Sequence, residues 1–295
     1  MSVNKIVLIN KPSGVPSFRV TSAVRRKLNT KKAGHAGTLD PMASGVLAVY
    51  TGNAARFIDL SEDEDDNKKR YVAGFRLGQT TDTLDCEGQV LDERPVSVGE
   101  QDILKILPDF TGRITQIPPM FSAIKKDGVP LYKLARQGIK VDVKSREITV
   151  YSIKLLSFDG RDGVIDVVCS KGTYIRTLIA DIGETLGCGA HMISLERTLS
   201  NGYTIDMCVS LDDFVNGDES CIHDADFAVM KYPRANVSSA QERLFRNGGG
   251  LFKERMKIKD DYYSKYYRVY SNDVFVGLGI LSDDGTLINP KCIMT

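Results

Sequence analysis

A chain of 295 residues is long enough for one large domain and a small one. Hydrophobic content of 42% and charged content of 26% are those of a globular protein, and no apolar run is long enough to span a bilayer. Six scattered Cys (86, 169, 188, 208, 221, 292) without a C-x-x-C pair, and three separated His, argue against a disulfide framework or a zinc site and suit a reducing cytosol. The net charge of +1 is uninformative, but residues 1–60 hold nine Lys/Arg against two acids. That basic third is either a phosphate footprint or a solvated face balanced by acids elsewhere.

In chain order, MSVNKIVLINKPSG lacks the long apolar stretch and cleavage site of a signal peptide, and its residues 6–9 read as a buried strand. KPSGVPS is a loop. A helix starts at Ser17, a candidate cap, with Val20, Val24 and Leu28 on one face. Residues 31–45 are loop-like, 45–52 a strand, 53–60 a short helix, and EDEDD at 62–66 an exposed acidic loop. A strand at 71–78 follows, then a turn-rich connection and a helix at 100–107. Another helix is expected near 131–137, with strands at 146–157 and 164–170. The clearest helix is 173–187, with Thr173 as its cap and a stripe of Ile175, Leu178, Ile179, Ile182 and Leu186. ISLERT opens a further strand.

This mixed order predicts an α+β fold, a largely antiparallel sheet with flanking helices. Pro and GGG within 231–250 place a boundary near 245–250, giving a large domain over 1–245 and a small β-rich module over 246–295.

The chemistry concentrates in HAGTLDPMASGVL at 35–47, where two Gly and a Pro pin a loop around a single carboxylate, Asp40. A lone Asp before Pro is ordinarily a turn former. In an apolar setting it would be protonated unless a cation faced it. Arg176, near the positive end of the 173–187 helix, is a candidate cation. A cation there is mildly unfavourable, so it is either a surface residue or the partner of a carboxylate. Asp85 in TDTLDCEG could share that Arg. Tyr71, at the start of a strand, is either core packing or a ring offered to a base.

GHAGTLDPMASGVL resembles the signature loop of TruB-type tRNA pseudouridine synthases. NKPSGVPSF (10–18), KRY (69–71), RLGQTTDTLDCEG (76–88), QIPPMFSAIKKDG (116–128), YKLARQG (132–138), CSKGTYIRTL (169–178) and LGCGAHMISLERT (186–198) match the family in order, over roughly residues 3–215. The resemblance implies that Asp40 is the catalytic aspartate, that Tyr71 stacks on a flipped uracil, and that Arg176 pairs with Asp40 while Asp85 orients the Arg. It implies that His35 enters the RNA loop and that Tyr174 and Leu195 line the pocket. The implied substrate is uridine 55 in the T-loop of tRNA, and the implied fold ends in a PUA-like RNA-binding module. The isomerisation gains and loses no atoms, so no cofactor and no metal are expected. The protein is expected to be a cytoplasmic monomer that needs no guide RNA, protein partner or membrane. The acidic run at 62–66 departs from the family pattern.

Two other readings compete. One is an RNA-binding or tRNA-folding protein with catalysis secondary, against which the set Asp40, Tyr71 and Arg176 speaks. The other is a guide-RNA-dependent synthase, against which the uninterrupted blocks through 116–138 speak.

Overall fold

The computed structural model describes residues 3–58, 60, 67–122, 124–139, 141–259 and 264–294. The acidic run at 62–66, expected as an exposed loop, lies outside the described residues.

Ile6, Val7, Leu8 and Ile9 are all fully buried in the strand Lys5–Lys11. Such an uninterrupted apolar run marks a strand covered on both faces. It belongs to an 11-stranded sheet of described residues. Eight strands follow one another across it: Val209–Ser210, Lys5–Lys11, Ser44–Thr51, Ala190–Ser200, Lys69–Leu77, Asp162–Cys169, Arg146–Phe158 and Gly112–Gln116. Pairing is antiparallel except where Val209–Ser210 meets Lys5–Lys11 and where Ala190–Ser200 meets Ser44–Thr51. The α+β arrangement with a largely antiparallel sheet is the one expected.

The second of those parallel contacts requires glycine. A Cβ on Gly45 would lie 2.2 Å from the Arg197 carbonyl oxygen, and its φ is +104°. Gly45 therefore lets two central strands close up directly behind the Asp40 loop.

Helix Ser17–Lys27 buries Val20 and Val24, and helix Ile175–Thr185 buries Ile175, Leu178, Ile179 and Ile182. The apolar stripe of the second helix is thus the one its spacing predicts, but neither predicted cap is a cap. Pro16 occupies the cap position of the first helix. Ser17 instead donates to the Leu39 carbonyl at 2.8 Å and accepts from the Leu39 N–H at 3.0 Å, stapling the helix to the Asp40 loop. Tyr174 occupies the cap position of the second without a side-chain cap bond, while the Thr173 hydroxyl turns back to the Ser170 carbonyl at 3.0 Å.

A second sheet of six strands has its own core around Ala235, Phe245, Tyr267, Val269, Val276 and Ile288. It takes its strand Arg234–Asn236 from the N-terminal side of the boundary read near 245–250. It is also welded to the large sheet: Tyr266, Leu278, Cys292 and Met294 pack into the core of Lys5–Lys11 and Ser44–Thr51. Among the described residues no helix is long and apolar enough to cross a membrane.

Candidate active site

The segment after the short strand Ala33–His35 is fastened from several directions before it enters Ser44–Thr51. The Pro41 carbonyl accepts from the Gly14 N–H at 2.8 Å and from Lys11 Nζ at 3.0 Å. The Ser13 hydroxyl donates to the Met42 carbonyl at 2.6 Å. With the Ser17 staple at Leu39, the residues on both sides of Asp40 are fixed. Lys11 is fully buried, donates also to the Pro12 and Val15 carbonyls, and has its pKa pushed down to about 8, chiefly by burial. Its position was not legible in the sequence; its only signal is its place in the NKPSG block.

Arg176 projects from the second residue of its helix and is 5% exposed. Its Nη2 reaches Asp40 Oδ2 at 2.9 Å, and its Nη1 reaches Asp85 Oδ2 at 3.3 Å. The same two nitrogens donate to the Thr83 carbonyl at 3.0 Å and the Phe121 carbonyl at 2.8 Å. One guanidinium thereby joins three segments of the chain and spans two carboxylates, which its planar fork permits and an ammonium does not.

The carboxylates differ. Asp85 is buried, with the Thr83 hydroxyl donating to its Oδ1 at 2.6 Å and the Glu87 N–H at 3.1 Å. Asp40 remains reachable, with a side chain 40% exposed, so it is the member of the pair that a substrate can touch. Burial raises its pKa above the ordinary 3.8; the Arg176 cation opposes this, Asp85 adds to it, and Lys11 opposes it. The result is an ionisable carboxylate of raised basicity, suited to attack or to proton removal.

Tyr71 is the third residue of Lys69–Leu77 and is 6% exposed. It shares an apolar cluster with Leu39, Ala43, Ile175 and Leu195. Burial raises its phenol pKa, against the nearby Arg197 guanidinium. Leu195 stands on the adjacent strand, paired with Ala73. Tyr174 is clamped through its backbone: its N–H donates to Gln116 Oε1 at 2.8 Å, and Gln116 Nε2 donates to its carbonyl at 3.0 Å. The His35 ring bridges two hydroxyls, Thr21 at 2.8 Å and Thr38 at 3.1 Å, and burial lowers its pKa, so it is neutral at pH 7. All seven sequence-selected residues therefore stand on this loop, the Thr83–Asp85 turn, the adjoining central strands or the start of the Arg176 helix. Lys11, Gln116 and Arg197 are the residues of this region that sequence reasoning passed over. Among the described residues no group of three or more His, Cys, Asp or Glu is placed to hold a metal.

Solved structures share this architecture. A Cbf5–Nop10–Gar1 complex matches with a TM-score of 0.69 at 27% identity, covering 98% of this chain and 85% of that one. An H/ACA ribonucleoprotein bound to a substrate RNA containing 2′-deoxyuridine matches with a TM-score of 0.70 at 25% identity, covering 99% and 85%. The fold is that of a pseudouridine synthase, with a small PUA-like β module at the C-terminus.

The TruB family pseudouridylate synthase N-terminal domain matches residues 25–175, and the tRNA pseudouridylate synthase B C-terminal domain matches residues 176–229. The tRNA pseudouridine synthase B of Clostridium perfringens (strain 13) is 42% identical over 287 residues, covering 96% of this chain and 97% of that protein. The protein of the same name from Pseudomonas fluorescens (strain Pf0-1) is 41% identical over 301 residues, covering 99% and 96%. The chain belongs to the TruB family of pseudouridylate synthases.

Proposed function

We propose that this enzyme converts uridine 55 in the T-loop of tRNA to pseudouridine, acting as a monomer in the cytoplasm without a guide RNA or protein partner. The observation that carries the reading is the half-buried, reachable Asp40 carboxylate held 2.9 Å from a buried Arg176.

The reaction breaks the bond from the ribose carbon to the uracil nitrogen, turns the ring, and rejoins the ribose to a ring carbon. That carbon gives up its proton and the freed nitrogen gains one, so atoms balance. Asp40 either attacks the sugar carbon or takes a sugar proton; both roles need the ionised form, which Arg176 favours. Extruding the uridine costs a few kcal/mol. Stacking on Tyr71 returns about 1–3 kcal/mol, and His35, released from its two hydroxyls, fills the vacated place in the loop. Tyr174 and Leu195 wall the pocket, and Asp85 acts only through Arg176. The second sheet supplies further phosphate contacts.

The likeness to a Cbf5 complex favours a second reading, a synthase that needs partner proteins and RNA. One experiment separates them: mapping pseudouridine in an unmodified tRNA transcript and in a bare T-arm hairpin, each with the purified protein alone. Stoichiometric conversion at position 55 in both supports the proposal. No conversion without added protein or RNA would favour the second reading, and conversion elsewhere in the tRNA would overturn the site assignment.

A further inference from the structure

Among the described residues, two cations under the Asp40 loop have no ion-pair partner. Arg197 is fully buried. Its Nε donates to the Val46 carbonyl at 2.9 Å, and its Nη2 donates to Val46 at 2.7 Å and to the Gly37 carbonyl at 2.9 Å. Its Nη1 is buried without a hydrogen-bond partner among the described residues. Lys69 stands beside it, and among the described residues its ammonium has neither a hydrogen bond nor an ion pair. A Cβ built on Gly37 would lie 3.0 Å from Lys69 Nζ and 3.2 Å from Arg197 Nη1. Both nitrogens therefore converge on one face of Gly37, an exposed residue with φ +66° and no side chain to stand between them and solvent.

Among the described residues no ion pair neutralises the two. The Arg176 guanidinium already engages Asp40 and Asp85. Lys171 and Lys11 add positive charge, and the Tyr71 hydroxyl offers only a dipole. Burial and Arg197 push the Lys69 pKa down to about 8, the signature of like charges held together out of water. An uncompensated buried charge of this kind is costly. An arriving anion relieves it, and the exposed glycine is the open side from which an anion can arrive.

Gly37 lies between His35 and Asp40 on the same loop, so an anion at its surface is covalently close to the nucleotide being isomerised if that substrate is RNA. We propose that Lys69, backed from beneath by Arg197, binds the phosphodiester adjoining the target uridine at the surface of Gly37. The inference rests on the RNA-isomerising reading above and deepens it by assigning a phosphate subsite. Arg197 acts through Lys69 and is a positioning residue.

The test uses the full-length protein, its Lys69→Met and Lys69→Arg variants, and T-arm hairpins that each carry one neutral methylphosphonate linkage near the target uridine. Dissociation constants are measured across a salt series, with melting curves for each protein alone. Lys69→Met should weaken binding and reduce the slope of log affinity against log salt by about one. One linkage adjoining the target should weaken wild type and Lys69→Arg, yet cost Lys69→Met nothing further. Lys69→Met should also melt no lower than wild type, because it removes a repulsion. A linkage effect that is equal in wild type and Lys69→Met at every position would overturn the subsite, as would a Lys69→Met protein with wild-type salt slope. A lower melting temperature for Lys69→Met would reveal an internal counter-ion and overturn it too. Failure of wild type to bind any hairpin would instead overturn the RNA reading, and this inference with it.

Discussion

Arg176→Lys is the substitution most revealing of how the site is held. The guanidinium spans Asp40 and Asp85 while donating to the carbonyls of Thr83 and Phe121. An ammonium on a shorter reach keeps one carboxylate and loses the rest of that set. Hydrogen bonds to a charged group contribute about 1.5–3 kcal/mol each, and stranding a buried carboxylate such as Asp85 costs about 3–5 kcal/mol. A loss near 3 kcal/mol is expected, or roughly 5 °C in melting temperature for a chain of this length. At 5% exposure, Arg176 is buried deeply enough for the change to register in stability as well as in rate. The catalytic loss follows from geometry, since displacing Asp40 by about 1 Å costs on the order of 10²-fold in rate. Thermal melts and single-turnover conversion of a T-arm hairpin at saturating enzyme measure the two effects separately. A Lys variant with an unchanged melt and a rate within about threefold of wild type, far short of that 10²-fold, would show that Arg176 does not organise the two carboxylates.

Asp40→Asn should melt no lower than wild type at pH 7. Burial raises the folded pKa above 3.8, so ionised Asp40 subtracts stability at neutral pH, and that deficit closes as pH falls toward the ordinary carboxylate value; melts at pH 7 and pH 4 test the sign. For the same reason the acid limb of kcat/KM should sit above pH 3.8, and a limb at or below it would mean Asp40 is not the titrating group. Tyr71→Phe should bind RNA like wild type whereas Tyr71→Leu binds more weakly, with a turnover defect in Phe reporting on the hydroxyl; identical binding and activity in all three proteins would remove Tyr71 from the site. Neutralising EDEDD at 62–66 should leave RNA affinity unchanged or higher, because like charge repels phosphate, and weaker binding would refute this. Deleting residues from 250 onward is not a clean test of the second sheet: it would strip Tyr266, Leu278, Cys292 and Met294 from the large core, so lower stability and lower activity are expected together in melts and turnover assays.

Much of the architecture was legible because periodicity reports on a residue's own element. The run at 6–9 and the stripe from Ile175 to Leu186 each mark a strand or a helix whatever packs against it. What they cannot report is which distant segment supplies the partner. Ser17 reads as a cap because Ser before a helical pattern usually is one, but its hydroxyl is taken by Leu39, 22 residues away. Thr173 fails in the same way, its hydroxyl turning back to Ser170. Lys11 and Arg197 look like solvated cations in a one-dimensional reading and are fully buried in the structure. Their interiority comes from the carbonyls of Val15 and Pro41 in two loops and of Val46 in a strand, brought together by tertiary packing that no local pattern encodes. At the other end of the chain, Pro and GGG within 231–250 read as a boundary. The second sheet nevertheless reaches back past it for Arg234–Asn236, because strand pairing, not composition, decides membership.

The central claim is that Asp40 performs the chemistry while the rest of the fold presents the nucleotide to it. Single-turnover formation of pseudouridine at position 55 of an unmodified tRNA transcript, compared between wild type and Asp40→Asn at saturating protein, tests it most directly, with tRNA affinity measured on the same samples. Asp40→Asn should bind tRNA nearly as wild type does and lose on the order of 10⁴-fold or more in rate. An Asn variant that keeps about a tenth of the wild-type rate, a deficit of only about 1.4 kcal/mol, would contradict the assignment.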